Sequence, residues 1–309
     1  MLTKDIIKFG DDIMFEYSES FSIYLGEHKK MSPNTISAYN RDVLEFSKFL
    51  LEKTGAGLKD ASNTDVVAYL FKLKSNGKSA ATVNRNTASL RTFYNYLIET
   101  SHINESPTAN IKSPKVARKE PEYLTITEVD RLLELPDNSI RGIRDRAILE
   151  ILYATGIRVS EVIEANIEDV NLRMGFITCT GEFGKARIIP IGRMARAALE
   201  EYIFEARSKL LKEGAEENTA LFVNYVGDRI TRQGLWKLLK EYSKKAGIEN
   251  KITPQTLRNS FAVHMIQNGA DLKSLQELMG HEDISATQIY LRVTKNKIKD
   301  VYDKAHPRA

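Results

Sequence analysis

The chain has one cysteine in 309 residues, Cys179. A single thiol cannot close an internal disulfide, so the fold must rest on packing, and the chain suits a reducing compartment. No apolar run approaches the roughly 20 residues of a membrane span, so no membrane partner is expected. The start, Met1-Leu2-Thr3-Lys4-Asp5, lacks the apolar core of a signal peptide, and the expectation is a cytoplasmic protein. No internal repeat, low-complexity tract or Walker-type glycine loop is present. His28, His102, His264 and His306 have no metal-ligand spacing with Cys179, so neither a metal nor another cofactor is expected. The net charge is only +4. A small total can still hide a strongly basic face, and a phosphate-bearing partner needs the face rather than the total.

What is present is an ordinary globular composition, 42% hydrophobic, long enough for two domains. The clearest break runs from Asn104 to Pro121, with Pro107, Pro114 and Pro121 among Lys112, Lys115, Arg118 and Lys119. Proline disfavours helix at the residue before it, so residues 107–121 read as an extended basic linker. Such a linker can lie along a phosphate backbone or serve as a solvated hinge. It separates an N-terminal unit, 1–106, from a C-terminal unit, 122–309.

The N-terminal pattern is helical. Ser32-Pro33-Asn34-Thr35 reads as an N-cap with proline in the first turn. Ile36, Tyr39, Val43, Phe46 and Leu50 then form one stripe. Thr64-Asp65 reads as a second start, before Val66, Tyr69 and Leu73. A third helix carries Leu90, Phe93, Tyr94 and Leu97, and Phe15, Phe21 and Leu25 supply a fourth, giving a small bundle. Arg41, Lys78, Arg85 and Arg91 lie off the stripes, on a solvated or phosphate-facing surface. Ser79 to Arg85 fits a helix N-terminus of the kind that faces anions.

Beyond the linker, Thr125-Ile126-Thr127-Glu128 reads as a capping box, and a helix from Ile140 ends at Gly156, a C-cap. The period then shifts towards two in 176–179 and 187–191, joined through Gly181 and Gly184, a β-hairpin. Helices are expected at about 194–211, 231–246, 256–268, 272–279, 285–290 and 296–304. Trp236 is assigned to the core, and His264 to a packed, hydrogen-bonded position. The fold class is mainly α (α+β): a helical bundle followed by helices with a small antiparallel sheet.

The most informative residues are late in the chain. Thr253-Pro254-Gln255-Thr256-Leu257-Arg258 is followed by Leu278-Met279-Gly280-His281 and by Thr287-Gln288-Ile289-Tyr290, with Gly156-Ile157-Arg158-Val159-Ser160-Glu161 far upstream. This ordered set resembles the tyrosine recombinases of the phage-integrase family, nearest to their Xer group, from about Ser32 to the C-terminus. The resemblance implies a two-domain DNA clamp that cleaves and rejoins strands through a 3′-phosphotyrosine. Its partner would be double-stranded DNA. Its role would be chromosome-dimer resolution or DNA integration and excision. Four identical or mixed protomers would assemble on two sites through the C-terminal helix, whose stripe is Ile298, Val301 and Tyr302.

By the same resemblance, Arg158 and Arg258 clamp the scissile phosphate, Tyr290 attacks it, and His281 donates to a phosphate oxygen. Arginine suits the first role because its planar fork donates two parallel hydrogen bonds and keeps its charge. A phenol with a pKa near 10 is expected to be lowered by such cationic neighbours. Three positions depart from the pattern. Glu182 stands where the resemblance places the lysine that protonates the leaving 5′-oxygen, Gln255 stands for a catalytic histidine, and Asn259 stands for another common histidine. A carboxylate about 4 Å from a phosphate, at an effective dielectric of about 20, is repelled by roughly 4 kcal/mol. Lys185, three residues on, is the alternative acid, and Arg187 a contact to the DNA backbone or a solvent-facing residue. The departures keep a second reading open: a DNA-binding relative with impaired or lost cleavage, acting as an accessory or partner subunit.

Overall fold

The computed structural model describes residues 17–112, 120–181, 184–211, 218–248 and 252–291. The chain divides into two compact units, 1–118 and 119–309. Among the described residues no helix is long and apolar enough to cross a membrane.

The first unit is a helical bundle. Helix α1 (17–23) runs into a π-helical turn, Tyr24–His28. Then come α2 (Pro33–Thr54), α3 (Asn63–Ser75) and α4 (Ala80–Glu99). Each start has a local cause. Ser32 accepts the amide of Thr35 ahead of Pro33. Ser62 and Asp65 exchange hydrogen bonds in a capping box. The α3 cap is therefore Ser62, not Thr64, because its side chain is spaced to reach the third amide while Asp65 reaches back. The stripes meet in a core of Phe21, Leu25, Val43, Phe46, Leu50, Val66, Leu90, Phe93 and Leu97. Burying each large apolar side chain contributes about 1.5–3 kcal/mol. Tyr94 is wholly buried and donates to the Leu58 carbonyl at 3.0 Å.

The front of the presumed linker belongs to this unit. Thr108 is buried, Ile111 packs on the core, Asn63 donates to the Pro107 carbonyl at 2.9 Å, and Arg91 donates to the Ile111 carbonyl at 2.8 Å. Residues 107–110 form a turn rather than extended chain. Pro107 sets the turn, and the side chains of Asn63 and Arg91 satisfy its carbonyls.

The second unit is built on α6 (Ile140–Thr155), whose Ile148, Ile151 and Leu152 are buried against α8 (Arg193–Glu201) and α11 (Pro254–Gln267). Ahead of α6 lies α5 (Ile126–Glu134), opened by the Thr125–Glu128 capping box. Helix α6 ends at Gly156 in the left-handed region, φ 56°. A Cβ there would lie 2.4 Å from the Phe261 ring, so glycine is required twice over, for its backbone and for the packing. The short α7 (Val159–Glu164) follows, then the antiparallel sheet β1 (Val170–Asn171), β2 (Phe176–Thr180) and β3 (Ala186–Pro190). In the β2–β3 register Ile177 faces Ile189, both buried, and Cys179 faces Arg187. Helix α8 passes through a π-helical turn into α9 (Arg207–Leu210). Then come α10 (Arg232–Lys245), α11, α12 (Leu272–Met279) and α13 (285–291).

Trp236 is 45% exposed on α10, so its assignment to the core is wrong. Leu235, Leu238, Leu239 and Tyr242 form the buried face, and the indole, one position beyond Leu235, points off it. His264 is buried, with its Nδ1 3.0 Å from the Tyr153 hydroxyl.

Candidate active site

The site is assembled where three helix ends meet. The left-handed turn at Gly156 delivers Arg158 as the N-cap of α7. Helix α11 presents Gln255, Arg258 and Asn259 from its first turns. The second left-handed glycine, Gly280 at the C-cap of α12, delivers His281, and α13 carries Tyr290. The β2–β3 hairpin brings Arg187 against the end of α12, at the Leu278 carbonyl.

Glu161 organises the first arginine. Its carboxylate accepts the Arg158 backbone amide at 2.7 Å and the Arg158 guanidinium at 3.0 Å. It also accepts both ends of the Arg187 fork, at 2.5 and 2.9 Å. Burial alone would raise this carboxyl, but the hydrogen bonds from Arg187 and the Arg158 amide, with both positive charges, hold it at about 2. Arg187 also donates to the Leu278 carbonyl at 2.8 Å and lies so close to Gly280 that a Cβ there would sit 2.9 Å from its guanidinium. Arg187 is therefore mostly withdrawn from solvent, in an ion pair with the buried Glu161 carboxylate.

Arg258 is 4% exposed. Its guanidinium donates to the Gly156 carbonyl, to the Met279 carbonyl at 2.5 Å and to His281 Nε2 at 3.1 Å. Arg158 in turn donates to the Gly280 carbonyl. Burial, and then the charge of Arg158, lower the Arg258 guanidinium to about 10, which leaves it protonated at neutral pH. Because an arginine can only donate, His281 accepts at Nε2. Its proton is then on Nδ1, which lies 2.8 Å from Thr287 Oγ1. Burial and the charges of Arg258, Arg158 and Arg187 push this imidazole down to about 4, so it is neutral here.

Tyr290 is 1% exposed, and its hydroxyl donates to Asn259 Oδ1 at 3.0 Å. The phenol is raised, not lowered: burial outweighs the opposing charge of Arg258. The expected depression fails because the low-dielectric pocket penalises the phenolate more than one arginine, already bonded to carbonyls, favours it. Gln255 donates to the same Asn259 oxygen at 2.9 Å.

Between these groups lies a cavity of about 210 Å³, lined by Ile157, Arg158, Val159, Ser160, Arg232, Pro254, Gln255 and Arg258. At about 30 Å³ per water it is large enough for a phosphate group. Three arginines, Arg158, Arg232 and Arg258, and the Gln255 amide on its walls make it suited to an oxyanion.

The structure thus brings Arg158, Arg258, His281, Gln255 and Tyr290 together. Lys185 is exposed in the connection between β2 and β3, two residues before Arg187, and Glu182 lies outside the described residues. In the first unit Arg41, Lys78 and Lys112 are exposed. Arg85 pairs with the buried Asp42 at 2.5 Å, and Arg91 holds the Ile111 carbonyl. Lys115 and Lys119 lie outside the described residues, as do Ile298, Val301 and Tyr302. Glu161, Thr287 and Arg232 had no assigned role from sequence. Glu161 stands at the third position of α7, where a carboxylate can reach back to the N-cap amide, and Arg232 follows the helix-start Thr231; Thr287 had no signal of its own.

The comparisons place this geometry in a class. The phage integrase family profile matches residues 122–297, and the N-terminal SAM-like domain of phage integrases matches residues 19–101. The chain belongs to the phage integrase family, the tyrosine recombinases. It is 46% identical to the tyrosine recombinase XerD of Oceanobacillus iheyensis over 298 residues, 96% of this chain and 100% of that protein. It is 41% identical to the tyrosine recombinase XerC of Herpetosiphon aurantiacus, covering 96% of each. Among solved structures it is similar to the XerA recombinase, with a TM-score of 0.54 at 26% identity over 95% of this chain and 100% of that one. In fold it is also similar to the XerH recombinase bound to its difH substrate after cleavage, with a TM-score of 0.73 at 24% identity over 86% of this chain and 78% of that one.

Proposed function

We propose that this chain is a site-specific recombinase that cleaves and rejoins double-stranded DNA through Tyr290. The observation that carries the reading is the convergence of Arg158, Arg258 and Gln255 on one cavity large enough for a phosphate, with His281 bonded to Arg258 and Tyr290 linked to Gln255 through Asn259. A DNA phosphodiester enters the cavity. Arg158 and Arg258 exchange their bonds to the carbonyls of Gly280, Gly156 and Met279 for bonds to the non-bridging oxygens. Those carbonyls are neutral acceptors and the phosphate is charged, so the exchange is favourable.

The Tyr290 oxygen then attacks phosphorus as its proton passes to a water molecule. The bond to the 5′-oxygen breaks, and that oxygen takes up a proton, with Lys185 as the candidate donor. The product is a 3′-phosphotyrosyl ester that keeps the energy of the broken linkage. A 5′-hydroxyl from another strand attacks it in the reverse sense, releasing the tyrosine, without nucleotide hydrolysis. His281, neutral in the empty site, gains a negatively charged neighbour when phosphate binds. That change favours its protonated form and a second donated hydrogen bond.

Recombination needs two sites brought together. The proposed assembly is a tetramer linked through the C-terminal helix, a heterologous contact that closes into a ring. Chromosome-dimer resolution in the cytoplasm is the proposed role. The test is incubation with a nicked duplex that traps the covalent intermediate. Wild type is expected to form the adduct. Tyr290→Phe is expected to form none while binding the duplex with nearly unchanged affinity. An adduct of undiminished yield in the variant removes Tyr290 from the mechanism. No adduct from wild type favours the accessory-subunit reading.

A further inference from the structure

Two of the positions at which this chain departs from its family pattern meet at the nucleophile. Gln255 and Asn259 stand one turn apart on the same face of α11. The Asn259 oxygen accepts two hydrogen bonds, from Gln255 at 2.9 Å and from the Tyr290 hydroxyl at 3.0 Å. Its nitrogen donates to the Glu122 carbonyl at 2.9 Å. These partners dictate the amide's orientation, since a flipped amide would set its oxygen against the Glu122 carbonyl and its nitrogen against the Gln255 donor. Asn259 itself is buried, 7% exposed, and so is Tyr290. Gln255 alone of the three lies on the cavity wall.

We propose that Asn259 is a positioning residue that holds the Tyr290 hydroxyl away from the phosphate cavity, and that Gln255 links that hold to occupancy of the cavity. This rests on the recombinase reading above. The direction follows from the bonds. A phenol donating into a buried amide oxygen is neutral and poorly nucleophilic, and Tyr290 is not among the residues lining the cavity. When a phosphate enters, it offers the Gln255 amide a charged acceptor in place of a neutral one, and hydrogen bonds to charged groups are the stronger. Asn259 then loses the partner that sets its rotamer, and the phenol is free to turn towards phosphorus. An imidazole at position 259 could not reproduce this arrangement. A neutral ring has one acceptor nitrogen, whereas the amide oxygen accepts from both neighbours at once.

The experiment uses the full chain and reads Tyr290 before any DNA is added. Tetranitromethane nitrates tyrosine through its phenolate, and mass spectrometry of the tryptic peptide containing Tyr290 gives a site-specific rate. In Asn259→Leu, similar in volume but without an acceptor, nitration of Tyr290 is expected to rise about fivefold, the factor that matches one neutral hydrogen bond of about 1 kcal/mol. Adduct formation on the nicked duplex is expected to rise by a similar factor, with DNA affinity unchanged. Asn259→Asp keeps the acceptor and is expected to keep Tyr290 protected, which separates the loss of the bond from altered packing. Gln255→Leu, at an exposed position, is also expected to raise nitration.

Unchanged nitration of Tyr290 in both leucine variants overturns the proposal, and so does slower adduct formation in Asn259→Leu at unchanged affinity. The nitration arm needs no DNA. Failure of the recombinase reading, with no adduct from wild type, is therefore distinguishable from failure of the hold.

Discussion

Replacing Glu161 by glutamine should destabilise the second unit by roughly 3 kcal/mol at neutral pH, and the loss should shrink in acid. A carboxyl whose ordinary value is 4.5 is held at about 2 by the fold, and at 1.36 kcal/mol per tenfold that difference is roughly 3 kcal/mol. The group is 6% exposed, so solvent screening takes little from the figure. The independent expectation for breaking a buried ion pair, about 3–5 kcal/mol, agrees.

The sign follows from the depressed value. The stabilisation is fully present above pH 4.5 and is lost progressively as pH falls towards 2. At pH 3.5 the gap between wild type and Glu161→Gln should be smaller by about 1 kcal/mol. For a unit of this size about 1 kcal/mol corresponds to about 2–4 °C, so the midpoint at pH 7 should drop by roughly 6–12 °C. Urea unfolding at pH 7 and 3.5 measures the difference directly. A gap under about 1 kcal/mol at pH 7, or one that does not narrow in acid, would refute the assignment of Glu161 as the charged hub. Cleavage should also fall, since Arg158 loses the tether that aims it.

Gly156→Ala should cost more than 2 kcal/mol, because the added methyl meets the Phe261 ring at 2.4 Å in a left-handed backbone that alanine resists; thermal unfolding reads it. Binding to duplex DNA should weaken steeply with salt, and Lys112→Ala should flatten the log–log slope by about one if that lysine neutralises a phosphate. A substrate with a 5′-bridging sulfur needs little protonation of its leaving group. If Lys185 is the acid, Lys185→Ala should slow cleavage of the normal diester by about a hundredfold or more and leave the sulfur substrate nearly untouched. If it is not, Glu182→Lys should instead speed cleavage of the normal diester.

Much of the fold was legible because its causes are local. Ser32 ahead of Pro33, the Thr125–Glu128 box and Gly156 each act within one turn of the chain, and the structure has each in its expected place. The hairpin was legible for the same reason, since its period of two and its flanking glycines are adjacent in sequence. Trp236 was misread because an apolar residue among leucines looks buried until the neighbouring helices fix which face of α10 is covered. The cap of α3 was placed two residues late, because Ser62 and Thr64 have the same chemistry and only the reach to Asp65 separates them.

At the site, the sequence by itself determined the residue types: two arginines, a histidine and a tyrosine in an order that fits phosphoryl transfer, with Gln255 and Asn259 as the departures. What they do to one another was decided only by tertiary structure. Glu161 and Arg187 are 26 residues apart and meet only because the hairpin folds back on α7. That meeting makes Arg187 one half of a buried ion pair. The ionisation of Tyr290 depended on which is larger, the charge of Arg258 or the burial of the ring, and depth of burial is a property of packing. The link from Gln255 through Asn259 to Tyr290 likewise exists only where α13 returns to α11, because hydrogen bonds reach about 3 Å and sequence separation carries no information at that range.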